Sequence, residues 1–519
     1  MLNNGCVDRQ QAQLVERLRA RLAAATPGGA EIIETHISRV LLAGERAYKF
    51  KKPVDLGFLD FSTLERRRHY AAEELRLNRR LAASLYLGML PVTGTSADPR
   101  LGGDGPVLDY AVHMRRFPEQ ALLTRQRLTP ELTDALAGRI ADFHAGLPAA
   151  DPAAGFGAPE QVLAPMLENF RVIRDAVEPE PALAAQLDRL EGWTRRCFIE
   201  LTPVLQARCD GGLIRECHGD LHRGNIAVLD GEPLIFDCIE FNPAFRWIDT
   251  MSELAFLLMD LRQAGEVAQA RRLLNGYLLR TGDYGGLTVL RFYLVYRALV
   301  RAKVTAIGAA QHHHADASLD VALRGYVRHA LALTRAPAPR LVILCGLSGS
   351  GKTALAAALS ERLPLIHLRS DVERKRLFGL PPLARERTAP AAGIYAPDAS
   401  ERTYRHLLDS AERILAAGHG VLVDATFLTP ARRRPFQSLA RRLGCPFDIL
   451  ALNAPRAVLR ERVVRRLAAD RDASDANLEV LHHQLASCEP LGASERARAL
   501  YIDSRTPVAL DALVRTLSL

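Results

Sequence analysis

The order of hydrophobic and polar positions divides the chain into two differently built parts. The first part opens with a helical pattern over Asp8–Ala25 and continues with three short strand-like runs, Glu31–Thr35, Arg39–Ala43 and Arg46–Phe50. A second helical pattern follows over Thr63–Ala83. This order predicts a small lobe in which a short antiparallel sheet packs against helices.

Helical patterns dominate the next stretch, from Thr129 to Leu205, and they return after residue 250. Between them lies a hairpin signal, in which the turn Asp230-Gly231 separates two apolar runs. Asp-Gly is the dipeptide that two-residue hairpins favour. A sheet-bearing small lobe followed by a mostly helical lobe with one hairpin predicts a two-lobed α+β domain.

The clearest boundary is the segment Arg335-Ala-Pro-Ala-Pro-Arg340. Two closely spaced prolines cannot continue the preceding helix, because each lacks an N–H donor and obstructs the previous turn. We therefore predict one domain over 1–334, with a small lobe at about 30–115 and a large lobe at about 116–334, and a second domain over 335–519.

Strands alternate with helices beyond this boundary. The apolar run Leu341–Cys345 precedes a helical pattern over Thr353–Leu363, and further strand-like runs follow at Leu365–Leu368 and Gly420–Val423. Such alternation is typical of βαβ units, whose strands are parallel. The second domain is therefore predicted to be an α/β fold with a parallel sheet.

Composition places the chain among ordinary globular proteins. Of its 519 residues, 48% are hydrophobic and 24% are charged, which argues against a disordered or fibrous protein. No apolar run reaches the roughly eighteen residues that a membrane span needs, and no secretory leader is visible at the amino end. The eight cysteines form no Cys-x-x-Cys pair, so we expect reduced thiols and a cytoplasmic location.

The net charge, 68 − 59 = +9, is a mild bias that suits phosphate-bearing ligands. Only six of the 68 basic residues are lysines, and three of these cluster at Lys49, Lys51 and Lys52. Lysine is a frequent ligand of nucleotide phosphates. Because lysine is so rare in this chain, the position of each lysine is informative.

A second group of chemical residues follows the helical stretch of the first domain, in His218-Gly-Asp220-Leu-His-Arg-Gly-Asn225. Phosphoryl transfer needs a carboxylate that accepts the proton of the attacking hydroxyl and oxygen ligands for Mg²⁺. Asp220 is the candidate base, and Asn225 together with the hairpin residue Asp237 would hold the metal. Asp249 and Glu253, at the start of the next helix, are interpreted as acids that complement the helix dipole.

This segment resembles the aminoglycoside phosphotransferase family, a branch of the protein-kinase-like fold, over roughly residues 30–330. The resemblance implies a lysine on the third strand that contacts the α- and β-phosphates of ATP. Lys49 fits that position, and Lys51 on the same face is the alternative. It also implies a glutamate on the following helix that pairs with the lysine, either Glu74 or its neighbour Glu73.

Two departures refine what this resemblance implies. The glycine-rich loop that covers the phosphates in protein kinases is absent, and His36-Ile-Ser38 occupies the turn between the first two strands. Gly219 stands where many protein kinases have an arginine before the catalytic aspartate. We therefore expect a small-molecule acceptor and no control by a phosphorylated loop.

The second domain contains the complete phosphate-loop pattern Gly-x-x-x-x-Gly-Lys-Thr between a predicted strand and a predicted helix. Backbone N–H groups of such a loop wrap the β-phosphate, the lysine bridges the β- and γ-phosphates, and the threonine hydroxyl ligates Mg²⁺. The candidate nucleotide ligands are Gly346, Ser348, Gly349, Ser350, Gly351, Lys352 and Thr353.

Further acidic residues follow the next strands, at the end of a parallel sheet where ligands bind. Asp424 is expected in the Mg²⁺ shell, and Asp371 is expected to act on an acceptor hydroxyl. The domain resembles small P-loop kinases grouped with zeta toxins, gluconate kinase, chloramphenicol phosphotransferase and the kinase domain of polynucleotide kinase. This resemblance implies that Asp371 is the base and that Arg374 grips a phosphate or the acceptor.

An arginine-rich helical stretch over 456–471 resembles the lid of these kinases. Arg462 and Arg466 share a helix face at i, i+4. Of the two, Arg466 is the first candidate for closing over the transferring phosphate.

Together these features resemble bacterial proteins that join an aminoglycoside-phosphotransferase-like domain to a P-loop kinase domain. They predict two phosphotransferase modules that use ATP and Mg²⁺ and transfer phosphate to hydroxyls of small molecules. In one alternative, one half only binds or hydrolyses ATP as a regulatory module. In another, the P-loop half phosphorylates nucleotide or nucleic-acid 5′ hydroxyls, although residues 340–519 lack the alternating aromatic and basic pattern that stacks bases.

Overall fold

The computed structural model describes residues 4–57, 59–311, 317–382, 394, 396–469 and 476–518. The chain forms two compact units. The first comprises Met1–Ala135, Asp142–Val162 and Leu205–Asp260, and the second comprises Leu136–Ala141, Leu163–Val204 and Leu261–Leu519. None of the helices in the described ranges is long and apolar enough to cross a membrane.

A six-stranded antiparallel sheet forms the amino-terminal part of the first unit, with the strand order β1-β2-β3-β6-β4-β5. Helix α1 packs on one face through Leu14, Val15 and Leu18, and helix α2 packs on the other. Thr63 caps α2 by accepting the N–H of Arg66. The elements are α1 (Asn4–Ala25), β1 (Ala30–Glu34), β2 (Ser38–Ala43), β3 (Arg46–Lys51), α2 (Leu64–Ala82), β4 (Tyr86–Gly94), β5 (Pro99–Leu101) and β6 (Val107–Arg115).

The helical stretch and the hairpin follow in the predicted order. Asp230 and Gly231 both have positive φ, 54° and 82°, as a two-residue hairpin turn of this kind requires. Strand β8 pairs with β9 through this turn, and β7 pairs with β10. The elements are α3 (Pro130–Gly146), α4 (Pro159–Val177), α5 (Pro181–Asp210), β7 (Ile214–Glu216), β8 (Ile226–Leu229), β9 (Glu232–Ile235), β10 (Trp247–Asp249) and α6 (Thr250–Gln263).

In the second unit, three helices between residues 267 and 333 precede a five-stranded sheet in which every pairing is parallel, with the order β12-β13-β11-β14-β15. Its core joins the sheet to α10 and α17. The elements are α7 (Val267–Thr281), α8 (Leu287–Gln311), α9 (Ala317–Leu333), β11 (Leu341–Cys345), α10 (Lys352–Arg362), β12 (Leu365–Arg369), α11 (Ser370–Leu377), α12 (Pro397–Ala416), β13 (Gly420–Asp424), α13 (Pro430–Leu443), β14 (Phe447–Asn453), α14 (Arg456–Ala469), α15 (Leu478–Ser487), α16 (Ala493–Arg496), β15 (Ala499–Asp503) and α17 (Leu510–Ser518).

The predicted fold class is confirmed: an α+β region precedes a parallel α/β region. Strand β11 has the predicted bounds, and β12 and β13 extend one residue further than predicted. The domain boundary near residue 335 stays a prediction.

Candidate active sites

The lysine cluster of β3 lies against helix α2. Lys49 and Lys51 are two positions apart on a strand and therefore share a face, which α2 covers. Lys49 Nζ lies 2.9 Å from Glu74 Oε1, and Lys51 Nζ lies 2.7 Å from Glu74 Oε2. Lys49 also pairs with Asp237, and Lys51 pairs with Glu240. The result is a chain of five alternating charges.

Mutual attraction favours the ionised forms of Lys49, Lys51 and Glu74 despite their burial, because it raises the pKa of both lysines and lowers the pKa of Glu74. Burial, by contrast, raises the pKa of Glu240. Burial alone would lower the pKa of Lys49, but the charges of Asp237 and Glu74 outweigh it and the pKa lies well above its usual value. Burial would likewise raise the pKa of the Glu74 carboxyl, yet Lys49 and Lys51 lower it to about 2. The cluster therefore provides a fixed cation beside an acidic residue, as a nucleotide–metal site requires.

Asp220 lies on the loop between β7 and β8. Its backbone O and its Oδ2 both accept hydrogen bonds of 3.0 Å from Asn225 Nδ2. His222 Nε2 lies 3.4 Å from the same Oδ2. The Asp220 side chain is 35% exposed, so it is oriented by its neighbours and still open to an acceptor.

A buried glutamate on α6, Glu253, binds the backbone of the loop that carries Asp220. The Glu253 carboxylate accepts the N–H groups of His218 at 2.7 Å and of Gly219 at 2.8 Å. His218 in turn accepts the N–H of Asp220 at Nδ1, at 3.3 Å, which leaves Nε2 to donate to Phe236 O at 2.8 Å. Burial lowers the pKa of His218 and favours this neutral form.

The end of the hairpin is fixed by the sheet and by α2. Asp237 has a left-handed backbone, with φ 63°, and its N–H donates to the Tyr86 hydroxyl at 3.2 Å. The next N–H, of Cys238, donates to Asn78 Oδ1 at 2.8 Å. The charges of Asp237 and Asp220 both act on the buried His218 ring. A carboxylate and an amide oxygen suit Mg²⁺, so Asp237 and Asn225 fit the role of its ligands.

The phosphate loop of the second unit joins β11 to α10. Gly349 has φ 82°, and a Cβ there would lie 2.7 Å from the backbone O of Leu459, so this position requires glycine. Lys352 Nζ donates to the backbone O atoms of Gly346 and Leu347, each at 2.9 Å. The lysine is thus turned back over the loop that would hold the phosphates.

The candidate metal residues of this unit are in direct contact. Thr353 Oγ1 donates to Asp424 Oδ2 at 2.7 Å, as expected of two groups that share a Mg²⁺ shell. His367 Nε2 lies 3.2 Å from the same oxygen. Burial would raise the pKa of Asp424, but His367 and Lys352 lower it to about 2.

Two other predicted residues lie within electrostatic reach of the loop lysine. Burial lowers the pKa of Lys352, the negative charges of Asp424 and Asp371 partly offset this, and Arg466 lowers the pKa further. The charges of Asp371 and Arg466 therefore both act on the lysine that would bind the phosphates. Arg466 Nη2 also donates to Ala476 O at 2.8 Å.

The other arginines of the predicted site make different contacts. Arg374 is buried, and its Nη1 donates to Ile394 O at 2.8 Å. Arg462 Nη1 donates to Ser504 Oγ at 3.1 Å and also to the backbone O of Gly349, in the phosphate loop, at 3.4 Å. Arg471, at the end of the predicted lid, lies outside the described residues.

The structure brings together Lys49, Glu74 and Asp237, and it places Glu73 on the surface beside Arg76. Glu240, which pairs with Lys51, was not predicted from the sequence. Glu253 was interpreted as an acid that complements the helix dipole, whereas in the structure it binds the loop that carries Asp220. An acidic residue amid an apolar helix was the available signal for Glu253.

Comparisons with known proteins match two separate parts of the chain. The sequence model described as "Phosphotransferase enzyme family" matches residues 58–293, and the one described as "AAA domain" matches residues 341–491. Two proteins described as uncharacterized, from Mycobacterium tuberculosis and Mycobacterium bovis, are each 31% identical over 457 residues. The match covers 86% of this chain and 88% of each relative.

Solved structures of kinases resemble each part. A choline/ethanolamine kinase family protein from Mesorhizobium loti is 15% identical, with a TM-score of 0.38, over 62% of this chain and 96% of the other. A gluconokinase from Sinorhizobium meliloti is 21% identical, with a TM-score of 0.24, over 34% of this chain and 88% of the other.

Proposed function

The chain belongs to the same family as the two mycobacterial proteins and is a phosphotransferase with a kinase-like domain and a P-loop domain; from this premise we propose that both domains are active. In each, the γ-phosphate of ATP passes to a hydroxyl group of a small molecule. The observation that supports the proposal is that each unit holds a lysine, oxygen groups of the kind that suit Mg²⁺ and a further carboxylate.

In the first unit Asp220 is the proposed base. It orients the acceptor hydroxyl and takes its proton as the oxygen attacks the γ-phosphate. Lys49 neutralises phosphate charge, and Glu74 holds Lys49 in place. Asn225 and Asp237 would hold Mg²⁺, which supplies charge neutralisation on the phosphates when bound.

In the second unit Asp371 is the proposed base. Backbone N–H groups of the loop 346–353 surround the β-phosphate, and Lys352 releases its carbonyl partners to bind the β- and γ-phosphates. Thr353 and Asp424 would hold Mg²⁺. Arg466 stabilises the charge of the phosphoryl group in transit. Both units rely on positioning and charge neutralisation without a covalent intermediate.

The test uses the full chain, ATP labelled at the γ-phosphate and a bacterial metabolite extract. We expect labelled small molecules from the unmodified protein. Asp220→Ala and Asp371→Ala should each remove a different set of labelled products by about 10²–10⁴-fold, and the double variant should remove both sets. Mass spectrometry would show gains of one phosphoryl group.

Surface substitutions provide the controls. Asp98→Ala and Asp511→Ala remove exposed carboxylates that pair with arginines in the first and second unit respectively, and they should leave every product unchanged. Release of free phosphate alone would show that a unit hydrolyses ATP without an acceptor and would contradict the proposal for that unit. Unchanged products in both Asp→Ala variants would show that the bases are assigned wrongly.

A further inference from the structure

The edge of the parallel sheet is completed by a helix that precedes the P-loop region in the chain. Strand β12 is the end strand of the sheet, and its free backbone groups would otherwise be open to pairing. Asn275 of α7 forms hydrogen bonds with two of these backbone groups. Its Oδ1 accepts the N–H of His367 at 2.8 Å, and its Nδ2 donates to Leu365 O at 3.2 Å. The His367 side chain, in turn, contacts Asp424.

A buried carboxylate links the helix α11 to the same upstream segment. Glu373 is fully buried and accepts the Tyr284 hydroxyl at 2.8 Å, and His406 Nε2 lies 3.0 Å from its other oxygen. Arg376 also pairs with Glu373, and Arg376 Nη2 donates to Leu279 O at 2.7 Å. Tyr284 lies in the turn between α7 and α8 and is itself buried.

Helical geometry places these contacts opposite the proposed chemistry. At 100° per residue, Glu373 and Arg376 lie on one side of α11, whereas Asp371 and Arg374 lie on the other. The side of α11 that carries Glu373 binds the turn at Tyr284, and the charge of Asp371, on the opposite side, acts on Lys352. The orientation of α11 therefore sets where the proposed base stands.

We propose that Tyr284 is a positioning residue for phosphoryl transfer at the P-loop site: its hydroxyl holds Glu373, and Glu373 holds α11 with Asp371 at the phosphate loop. Asn275 supports the neighbouring strand β12 in the same way. Both residues fall within the match to the phosphotransferase family, 58–293. One sequence region thus belongs to the first domain by descent and serves the second site. This inference rests on the proposed activity of the P-loop half.

The test compares Tyr284→Phe with Tyr296→Phe in the full chain, in an Asp220→Ala background that silences the first site. Tyr296 lies on α8 of the same unit and outside the Glu373 cluster. With labelled ATP and the metabolite extract, we expect Tyr284→Phe to lower kcat about tenfold or more, because small displacements of a catalytic group are costly. The KM for ATP should stay unchanged, and Tyr296→Phe should match the parent. Glu373→Gln keeps the side-chain shape and should likewise lower kcat without changing the KM for ATP. This variant replaces Tyr284→Phe in the test if Tyr284→Phe does not fold.

Hydrogen exchange on the nucleotide-free protein separates this inference from the proposed function. Tyr284→Phe should speed exchange in 370–377, and Tyr296→Phe should not. If the Asp220→Ala parent transfers no phosphate, the activity of the P-loop half is refuted and exchange alone decides whether Tyr284 holds α11. Equal exchange in the two variants overturns the inference. Faster exchange with an unchanged kcat also overturns it, since α11 would then be loosened without consequence for transfer.

Discussion

The two candidate sites use different parts of the polypeptide for the same kind of ligand, the phosphates of a nucleotide. In the first unit, side chains from a strand, a helix and a hairpin meet, and Lys49 contacts Asp237 across 188 positions of sequence. In the second unit, eight consecutive residues from Gly346 to Thr353 provide backbone N–H groups and the lysine. One site is assembled from buried charges and the other from a backbone conformation.

This difference determines how each site should fail. Removing one charge from the first cluster leaves an opposite charge buried without its partner, which destabilises the fold. The loop of the second site depends little on side-chain identity at several positions, but it cannot accept a Cβ where another backbone lies close. Charge substitutions should thus act on stability in the first unit, and glycine substitutions should act on nucleotide binding in the second.

The largest expected effect is that of Lys51→Met. Lys51 is 1% exposed and pairs with both Glu74 and Glu240, so its loss should lower the free energy of unfolding of the first unit by about 3–5 kcal/mol. Lys49→Met should lower stability less, because Lys49 and its partner Asp237 are more exposed, but it should weaken ATP binding more. Urea unfolding and ATP titration would measure the two effects.

The neighbouring Lys52 offers a matched control. It pairs with Glu34, which is 53% exposed, and such exposed pairs contribute about 0–1 kcal/mol. Lys52→Met should therefore change stability by less than about 1 kcal/mol. Equal losses in Lys51→Met and Lys52→Met would contradict the buried-charge interpretation of the first site.

The next effect concerns acid stability, where buried histidines should act at a higher pH than buried carboxylates. Burial, together with the charge of Arg291, lowers the pKa of His419 in the second unit to about 4. The unfolded chain binds a proton there near pH 6.5 and the folded chain does not, so stability should fall by about 3 kcal/mol between pH 6.5 and 4. In the first unit burial also lowers the pKa of His218, so stability should fall in the same direction there, whereas Glu74 and Glu253 have pKa values of about 2 and their contribution is lost only below about pH 4.5.

Unfolding by urea at pH 7, 5.5 and 4.5 would test this order. His419→Gln should remove most of the loss between pH 6.5 and 4, whereas His36→Gln, at an exposed position of the first unit, should leave it unchanged. An equal loss of stability in His419→Gln and in the unmodified protein would refute this role of His419.

The smallest expected effect is that of Gly349→Ala. Left-handed φ costs a residue with a Cβ about 1–2 kcal/mol, and the added atom would contact Leu459 O at 2.7 Å. ATP should then bind the P-loop site about tenfold more weakly or worse. Gly379→Ala adds the same backbone strain, at φ 71°, with no atom of the described chain within 4 Å of the new Cβ, and should leave ATP affinity unchanged. Isothermal titration of both variants in the Lys49→Met background would isolate this site.

The sequence was sufficient to predict the fold class, the hairpin and the phosphate loop. These features depend on local backbone preferences: Asp230-Gly231 suits left-handed φ, and the loop 346–353 lies between a strand and a helix. Each signal is contained in a few consecutive residues. Local conformation can therefore be inferred without knowing what packs against it.

Other features required the tertiary structure. Periodicity places Lys49 and Lys51 on the same face of the strand, so it cannot tell which of them pairs with the glutamate of the following helix. In the structure both lysines pair with Glu74. Glu253 has the sequence position of a helix-dipole acid, yet it binds the loop of Asp220. In each case the partner comes from a distant part of the chain.

The sequence by itself determined which residue types were available and which backbone conformations they favour. The tertiary structure decided which charges meet, that Glu240 closes the buried chain beside Lys51, and that Tyr284 reaches Glu373. The physical reason is that a turn or a phosphate loop is stabilised largely by its own residues, whereas a buried ion pair exists only where packing brings two distant side chains out of water together.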